Sequence, residues 1–365
     1  MSLIDKLVKN STIKSTAILT ESKVYGKKEM SPTPVPMINV ALSGRVDGGL
    51  IPGLLVLAGP SKHFKSAFAL LMAAAYMKQN KDAVMLFYDS EFGTPQAYFE
   101  SFGIDMERVV HTPVVNAEEL KFDVTQQLEK IEKGDKVIIV LDSMGNLASK
   151  KEVEDALDGK SVGDMSRAKQ FKSIFRIITP HLNLKDIPMI VVNHTYKTLE
   201  MYSKDVVSGG TGVYYSADAI WIIGRQQEKD GKEVAGYHFV INIEKSRHVR
   251  EKSKIPITVT YDGGIAKWSG LLDVAINAGY IRKPKLGWYE PFDPETGEIL
   301  SNKLLRAKDI EDNGEFWKMM LSKTGLADAI KEAYTIGASG ALMREDVVTE
   351  LEDYDDSEDL DEAEV

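Results

Sequence analysis

Leu54-Leu55-Val56-Leu57-Ala58-Gly59-Pro60-Ser61-Lys62-His63-Phe64-Lys65-Ser66 is the stretch on which the fold turns. Its first five residues form a short apolar run of the kind a fully buried strand presents. An apolar helical pattern follows from Ser66 to Lys78. Between them the spacing fits G-x-x-x-x-G-K-[ST], the Walker A loop. In that loop the backbone amides surround phosphates, the lysine reaches the β and γ oxygens, and the hydroxyl ligates magnesium at a helix N-terminus. Lys65 and Ser66 stand in register, with Gly59, Pro60, Ser61, Lys62, His63 and Phe64 as the loop. Phe64 occupies the place of the second glycine, and a Cβ there restricts the backbone. On these residues alone, an ordinary strand-to-helix turn stays open as the alternative.

Working outward, the apolar run Val137 to Leu141 ends in Asp142-Ser143, the Walker B form in which a carboxylate at a strand's end holds the magnesium shell. Between the two motifs, Ala83 to Tyr88 ends in Asp89-Ser90-Glu91. Glu91 is thereby a candidate base that orients the attacking water; the plain alternative is an acidic helix cap. Further β-type runs at Pro188 to Val192 alternate with helical patterns at Pro95 to Phe102 and Arg167 to Ile178. The alternation predicts an α/β fold with a mostly parallel central sheet covered by helices. Ala219 to Ile223, Tyr237 to Glu244 and Ile255 to Tyr261 lack intervening helices and are expected to extend the sheet as antiparallel hairpin strands. Beyond Trp268, helical segments around Gly287-Trp288-Tyr289 suggest a small C-terminal α/β lobe, and no internal repeat is present. The expected organisation is an arm over 1–35, a core over 36–268, a lobe over 269–340 and a disordered acidic tail over 341–365.

Two polar stretches follow strands of the sheet. Residues 145–166, with Lys150 and Lys151, are expected to project as a mobile loop, and the next helix carries Lys169, Lys172 and Arg176 at spacings that put them on one face. Residues 195–212 contain Lys197, Met201, Lys204 and Gly209-Gly210-Thr211-Gly212. Both read as candidate contacts to a nucleic-acid backbone, against the alternative of a solvated surface. His194, at the end of a strand in Asn193-His194, is a candidate nucleotide sensor or a structural histidine.

The net charge of -10 is concentrated at one end. Residues 345–365 hold 12 acidic and no basic residues, leaving 43 acidic against 45 basic in the rest of the chain. A near-neutral body can present a basic groove, while the tail competes with phosphate for it, recruits a basic partner, or simply solubilises. The absence of cysteine excludes disulfide scaffolds, thiolate zinc sites and thiol catalysis. No apolar run approaches the roughly 20 residues of a membrane helix, so the expectation is a soluble cytoplasmic protein, in the host cytoplasm if viral.

The order Walker A, Asp-Ser-Glu, Walker B, Asn-His and Gly-Gly loop resembles that of RecA-type recombinases. GPSKHFKS, LFYDSEFG, LDSMGNLASKKE, VVNHTY and EKSRHVREKSK resemble the T4-type bacteriophage branch of that family over most of the chain. The resemblance implies a RecA-like P-loop ATPase core using ATP and Mg2+, with an N-terminal polymerisation arm. It implies a helical filament of the protein with itself on single-stranded DNA, pairing with homologous double-stranded DNA, and mediator and single-strand-binding proteins as partners. Tyr98 corresponds to the aromatic that stacks on adenine, and Tyr261 to a second nucleotide contact supplied from the next subunit. Lys245 and Arg247 match cations that reach the neighbour's γ-phosphate, with Arg247 a departure from the family's lysine. His194 stands where RecA has its glutamine sensor. Residues 145–166 and 195–212 correspond to two DNA-binding loops, and Ala17-Ile18-Leu19 resembles a strand that docks on an adjacent subunit. A hexameric helicase or loader on the same fold and a non-catalytic DNA-binding filament protein are the competing possibilities.

Overall fold

The computed structural model describes residues 2–337 except 23, 25, 27, 160–165, 199–204 and 231–232. The expected tail over 341–365 and Lys204 lie outside the described residues. The amino-terminal segment carries helix α1 (Leu3–Asn10), capped by Ser2 and exposing Leu3, Ile4 and Leu7. Ala17-Ile18-Leu19 forms no strand within the chain: Ile18 is extended and Leu19 opens a single turn of 3-10 helix. The arm also ends earlier than expected. Ser31 bridges to Leu50, and Thr33 and Val35 are buried against α2 (Pro36–Ser43), where Thr33 donates to the Asn39 amide oxygen.

From there the chain alternates strand and helix: β1 (Gly53–Ala58), α3 (Lys65–Gln79), β2 (Val84–Asp89), α4 (Gln96–Ser101), β3 (Val109–Pro113), α5 (Ala117–Lys130), β4 (Val137–Asp142), α6 (Lys150–Leu157), α7 (Ser166–Lys185) and β5 (Pro188–Asn193). A hairpin of β6 (Thr195–Lys197) and β7 (Asp205–Val207) and the short α8 (Thr211–Ser216) precede the long strands β8 (Ala219–Asp230), β9 (Glu233–Ser246) and β10 (Lys254–Thr260), then β11 (Gly264–Ile265). The main sheet has the order β11-β10-β9-β8-β1-β5-β4-β2-β3. β8 departs from the expectation: it lies parallel to β1 and antiparallel to β9, so the antiparallel extension starts one strand later.

Period-two alternation assigns the strands' side chains to two buried layers. Leu55, Leu57, Ile138, Val140, Ile190 and Val192 face α3, while Leu54, Val56, Ile139, Leu141, Met189 and Val191 face α5 and α7. α7 buries Phe171, Ile174, Phe175, Ile178 and Leu182, a three-and-four spacing that makes one apolar stripe. Each such side chain contributes roughly 1.5–3 kcal/mol on full burial. That anchoring fixes which way the other face of α7 points. The C-terminal lobe is built from α9 (Leu271–Asn277), β12 (Ile281–Lys285), β13 (Trp288–Asp293), β14 (Glu298–Ile299), α10 (Ala307–Ile310), α11 (Gly314–Lys323) and α12 (Leu326–Tyr334), with β12, β13 and β14 as a separate sheet. Among the described residues no helix is long and apolar enough to cross a membrane.

Candidate nucleotide site and DNA-facing loops

In a parallel sheet, ligands bind where the loops leave the carboxyl ends of the strands. β1, β2, β4 and β5 end at one edge in register, with Asp89 beside Asp142 and Ala58 beside Asn193. The phosphate loop, Glu91, Ser143 and His194 therefore emerge together. The loop residues Ser61 to Ser66, with Glu91 and His194, border a cleft of about 980 Å³ that reaches to Tyr98 and Tyr261.

The loop runs into α3 with no side chain capping the helix. Its first amides are left without intrahelical partners, the arrangement that favours an anion. Gly59 needs to be glycine, because a Cβ there would sit 2.9 Å from the carbonyl oxygen of Ile223. Lys65 Nζ donates to the Pro60 carbonyl at 2.7 Å, which closes the loop on itself, and burial lowers the lysine's pKa. Phe64 adopts φ 60° and ψ 17°. This left-handed conformation costs a residue with a Cβ roughly 1–2 kcal/mol. Its ring stacks on Phe239 at 5.4 Å and meets Phe68 edge-on at 5.5 Å. Aromatic pairs contribute about 0.5–1.5 kcal/mol each beyond burial, enough to offset the strain.

Asp142 is buried, and its Oδ1 has no hydrogen-bond partner. Burial pushes its pKa up to about 6, with the Ser66 hydroxyl as the largest opposing influence. An orphaned carboxylate oxygen beside a serine hydroxyl is a polar group waiting for a partner, and it fits the shell of a magnesium ion shared with phosphate oxygens. Among the described residues no group of three or more His, Cys, Asp or Glu is placed to hold a metal alone.

Glu91 is fixed from three sides. The Ser143 hydroxyl donates to its Oε1 at 2.6 Å, His194 Nε2 lies 3.5 Å from the same oxygen, and Asp89 Oδ1 accepts from the Glu91 and Phe92 amides at 3.0 and 2.8 Å. Its pKa is lowered, first by His194 and then by Ser143, against desolvation. The His194 ring lies so close to Gly145 that a Cβ there would come within 2.0 Å of it. Ser143 and Asp89 were visible in the sequence as parts of motifs, but nothing in it assigned them these contacts. Arg225 was missed altogether: its guanidinium donates to the Lys62 carbonyl at 2.9 Å and lies 4.6 Å above the Tyr237 ring.

Tyr98 and Tyr261 both border this cleft. Tyr261, expected as a contact supplied from the next subunit, sits on the β10–β11 turn at the cleft of its own chain, against Tyr237 at 5.8 Å. Lys245 and Arg247 are elsewhere. Lys245 pairs with Ile220, level with Val56 in the middle of β1, and Arg247 follows the end of β9, so both cations lie on the amino side of the phosphate loop. Lys245 Nζ donates to the carbonyl of Tyr214 at 2.7 Å, and Arg247 Nε donates to Asp218 at 2.6 Å.

The stretch 145–166 is not the plain loop expected. Ser149 and Glu152 form a capping box that starts α6 at Lys150. The Lys150 amide donates to Glu118 at 2.9 Å, and Lys151 pairs with Asp155 at 2.6 Å. Arg167, also unforeseen, donates to the carbonyls of Met144, Gly145 and Leu147 and so ties α7 to the strand end at Asp142. Lys169, Lys172 and Arg176 lie exposed on the side of α7 away from its apolar stripe. Residues 195–212 likewise carry the β6–β7 hairpin, with Lys197 exposed. Asn193, fully buried, donates to the Ser208 carbonyl at 2.7 Å and roots this segment in the sheet. Gly209 and Gly210 take φ of 98° and 78° and lead into α8, whose Gly212 packs on Lys172.

A P-loop cleft at the carboxyl edge of such a sheet defines a class, and the family models agree with it. The RecA N-terminal domain model matches residues 4–266, and the model described as the C-terminal domain of the bacteriophage T4 recombination and repair protein matches residues 268–330. The chain belongs to the RecA family. Within it, the chain is 55% identical over 339 residues to the "Recombination and repair protein" of Enterobacteria phage T4, covering 92% of this chain and 86% of that protein. It is 24% identical over 324 residues to the "Protein RecA" of Nocardioides sp., covering 87% and 89%. The identity to the "Protein RecA" of Streptomyces avermitilis is 25% over 303 residues.

Proposed function

We propose that this chain is an ATP-dependent DNA recombinase, forming a helical filament on single-stranded DNA and exchanging strands with a homologous duplex in recombination, repair and recombination-dependent replication. The observation that carries this reading is a continuous path of contacts. Glu91 touches His194, and the adjoining Asn193 holds the Ser208 carbonyl of the 195–212 segment. A group positioned for phosphate chemistry is thereby two residues' contacts from a segment positioned for DNA.

In this mechanism Lys65 exchanges the Pro60 carbonyl for phosphate oxygens, while Ser66 and Asp142 hold the magnesium shell. Mg2+ bound with ATP would supply positive charge against the phosphate oxygens. Glu91 orients the attacking water, with Ser143 and His194 holding the carboxylate ionised. Tyr98 and Tyr261 enclose the base. Lys245 and Arg247 serve the next subunit's site, since along the sheet they lie about 10 and about 17 Å, at 3.3 Å per strand residue, to the amino side of the start of their own phosphate loop. A head-to-tail assembly of this kind makes an open helix. Lys150, Lys151, Lys169, Lys172, Arg176, Lys197 and Lys204, with the Gly209-Gly210 turn, are the DNA-facing set. Mediator and single-strand-binding proteins are the expected accessory partners.

The test is ATP hydrolysis with and without single-stranded DNA, followed by pairing with a homologous duplex. DNA-stimulated turnover that Lys65→Ala abolishes, together with joint-molecule formation, is the expected result. Stimulated turnover without pairing would point instead to a helicase or loader.

A further inference from the structure

The substitution of glycine by Phe64 in the phosphate loop is more than tolerated. We infer that Phe64 and Phe239 form a positioning pair that sets the phosphate loop in its left-handed, phosphate-binding shape before nucleotide arrives. The proposal rests on the reading of this loop as the nucleotide site.

Glycine reaches a positive φ without steric cost, but it reaches many other conformations as well. A loop that depends on it is ordered by its ligand and loses entropy on binding. Here the same backbone position is held by a side chain. The Phe64 and Phe239 rings lie 5.4 Å apart at an interplanar angle of 26°, and Phe68 closes the group, edge-on to both at 5.5 and 6.0 Å. Phe68 and Phe239 are buried, so the surface on which Phe64 rests is itself part of the core. A second brace acts two residues earlier. Lys62 is also left-handed, at φ 61°, and its carbonyl accepts the Arg225 hydrogen bond at 2.9 Å. Both props come from β8 and β9, on one wall of the cleft, while the helix that follows the loop belongs to the parallel core. The loop is thus clamped between α3 and the antiparallel extension of the sheet. Phe64 touches no phosphate in this account; it acts through the backbone it fixes, which carries the amides.

A purely structural phenylalanine and a positioning pair make different predictions. The dissociation constant of a fluorescent ADP analogue, with Mg2+ present, is measured on the full chain alongside KM and kcat for ATP. Phe64→Gly, which restores the residue usual for the motif, is expected to weaken binding about tenfold, with the loss falling on KM rather than kcat. Phe64→Leu keeps the strained Cβ and lacks the stack, so it is expected to bind more weakly than Phe64→Gly. Phe239→Leu should cost about tenfold in the native background and less than about twofold on top of Phe64→Gly, the coupling a double-mutant cycle reads. Equal costs of Phe239→Leu in both backgrounds, or Phe64→Gly binding as tightly as the native chain, overturns the pair. The two Phe64 variants decide the matter by themselves if Phe239→Leu does not fold. Lys65→Ala separates the two levels: native affinity in that variant means that the loop is not the nucleotide site at all.

Discussion

The candidate nucleotide cleft and the two segments proposed to face DNA leave the same edge of the same sheet, yet they are built on opposite terms. In the cleft each proposed functional group is held from inside: Lys65 by Pro60, Glu91 by Ser143 and His194, and the Glu91 loop by Asp89. In the segments the cations face solvent or pair locally, and what is fixed is the root. Arg167 anchors one at the carbonyls after Asp142, and Asn193 anchors the other at Ser208. The difference teaches where rigidity is spent. Chemistry needs groups placed to fractions of an ångström, whereas a flexible phosphate backbone is met by charge at the right place with adaptable contacts.

The sharpest way to break the comparison is to ask whether the cleft is complete within one chain. Binding is expected to be, and turnover is not. Lys245→Ala or Arg247→Ala should lower DNA-stimulated hydrolysis on the order of 10³-fold, as loss of an arginine finger does, with nucleotide still bound. Mixing Lys245→Ala chains with Lys65→Ala chains tests the geometry directly. In a head-to-tail assembly about a quarter of the junctions then pair an intact phosphate loop with an intact cation, and activity should recover to about that fraction. Recovery of none of it would place these cations outside the neighbour's site.

A smaller effect separates the interior of the cleft from its surroundings by pH. Burial raises the Asp142 pKa to about 6. A raised carboxyl pKa favours the neutral form in the folded state, so its stabilisation is fully present below the unfolded value and lost as pH rises through about 6. At neutral pH the nucleotide-free protein therefore carries a poorly solvated carboxylate. Asp142→Asn should raise the melting temperature more at pH 7.5 than at pH 5. Magnesium-dependent nucleotide affinity should fall about tenfold per pH unit below 6, beyond any slope that Asp142→Asn retains. Glu91, pulled below the usual carboxylate range by His194 and Ser143, does not contribute to that slope.

The same contrast decided what the sequence could tell. The parallel core and the positions of Lys65, Ser66, Glu91 and Asp142 followed from apolar runs ending in short polar motifs, because a buried strand leaves an unmistakable run and places its last residue at the edge. The partner strand of β8 did not follow, since pairing to β1 across 160 residues is a property of the closed sheet. Nor did the stack of Phe64 on Phe239: a phenylalanine in place of glycine requires a packing partner, but no local pattern says which. α6 was overlooked for a different reason. Its polar, acidic composition hides the Ser149 and Glu152 capping box that starts it.

The least disruptive prediction grades the DNA-facing cations among themselves. Lys169, Lys172 and Arg176 project from a helix whose other face is packed into the core, so their backbone positions are set in advance and only the side chains have to order. Lys151 instead begins in an ion pair with Asp155 and must break it to reach a phosphate. If single-stranded DNA crosses α7, each of Lys169→Ala, Lys172→Ala and Arg176→Ala should reduce the slope of log affinity against log salt by about 0.7. Lys151→Ala should reduce it by less, because the exchange of Asp155 for phosphate releases little net counterion. Measured by anisotropy of a labelled oligonucleotide across a salt series, equal slopes for Lys151→Ala and Lys172→Ala would mean that α6 gives up its internal pairing on DNA. The DNA-facing surface would then be remade by its ligand, while the cleft is made in advance of its own.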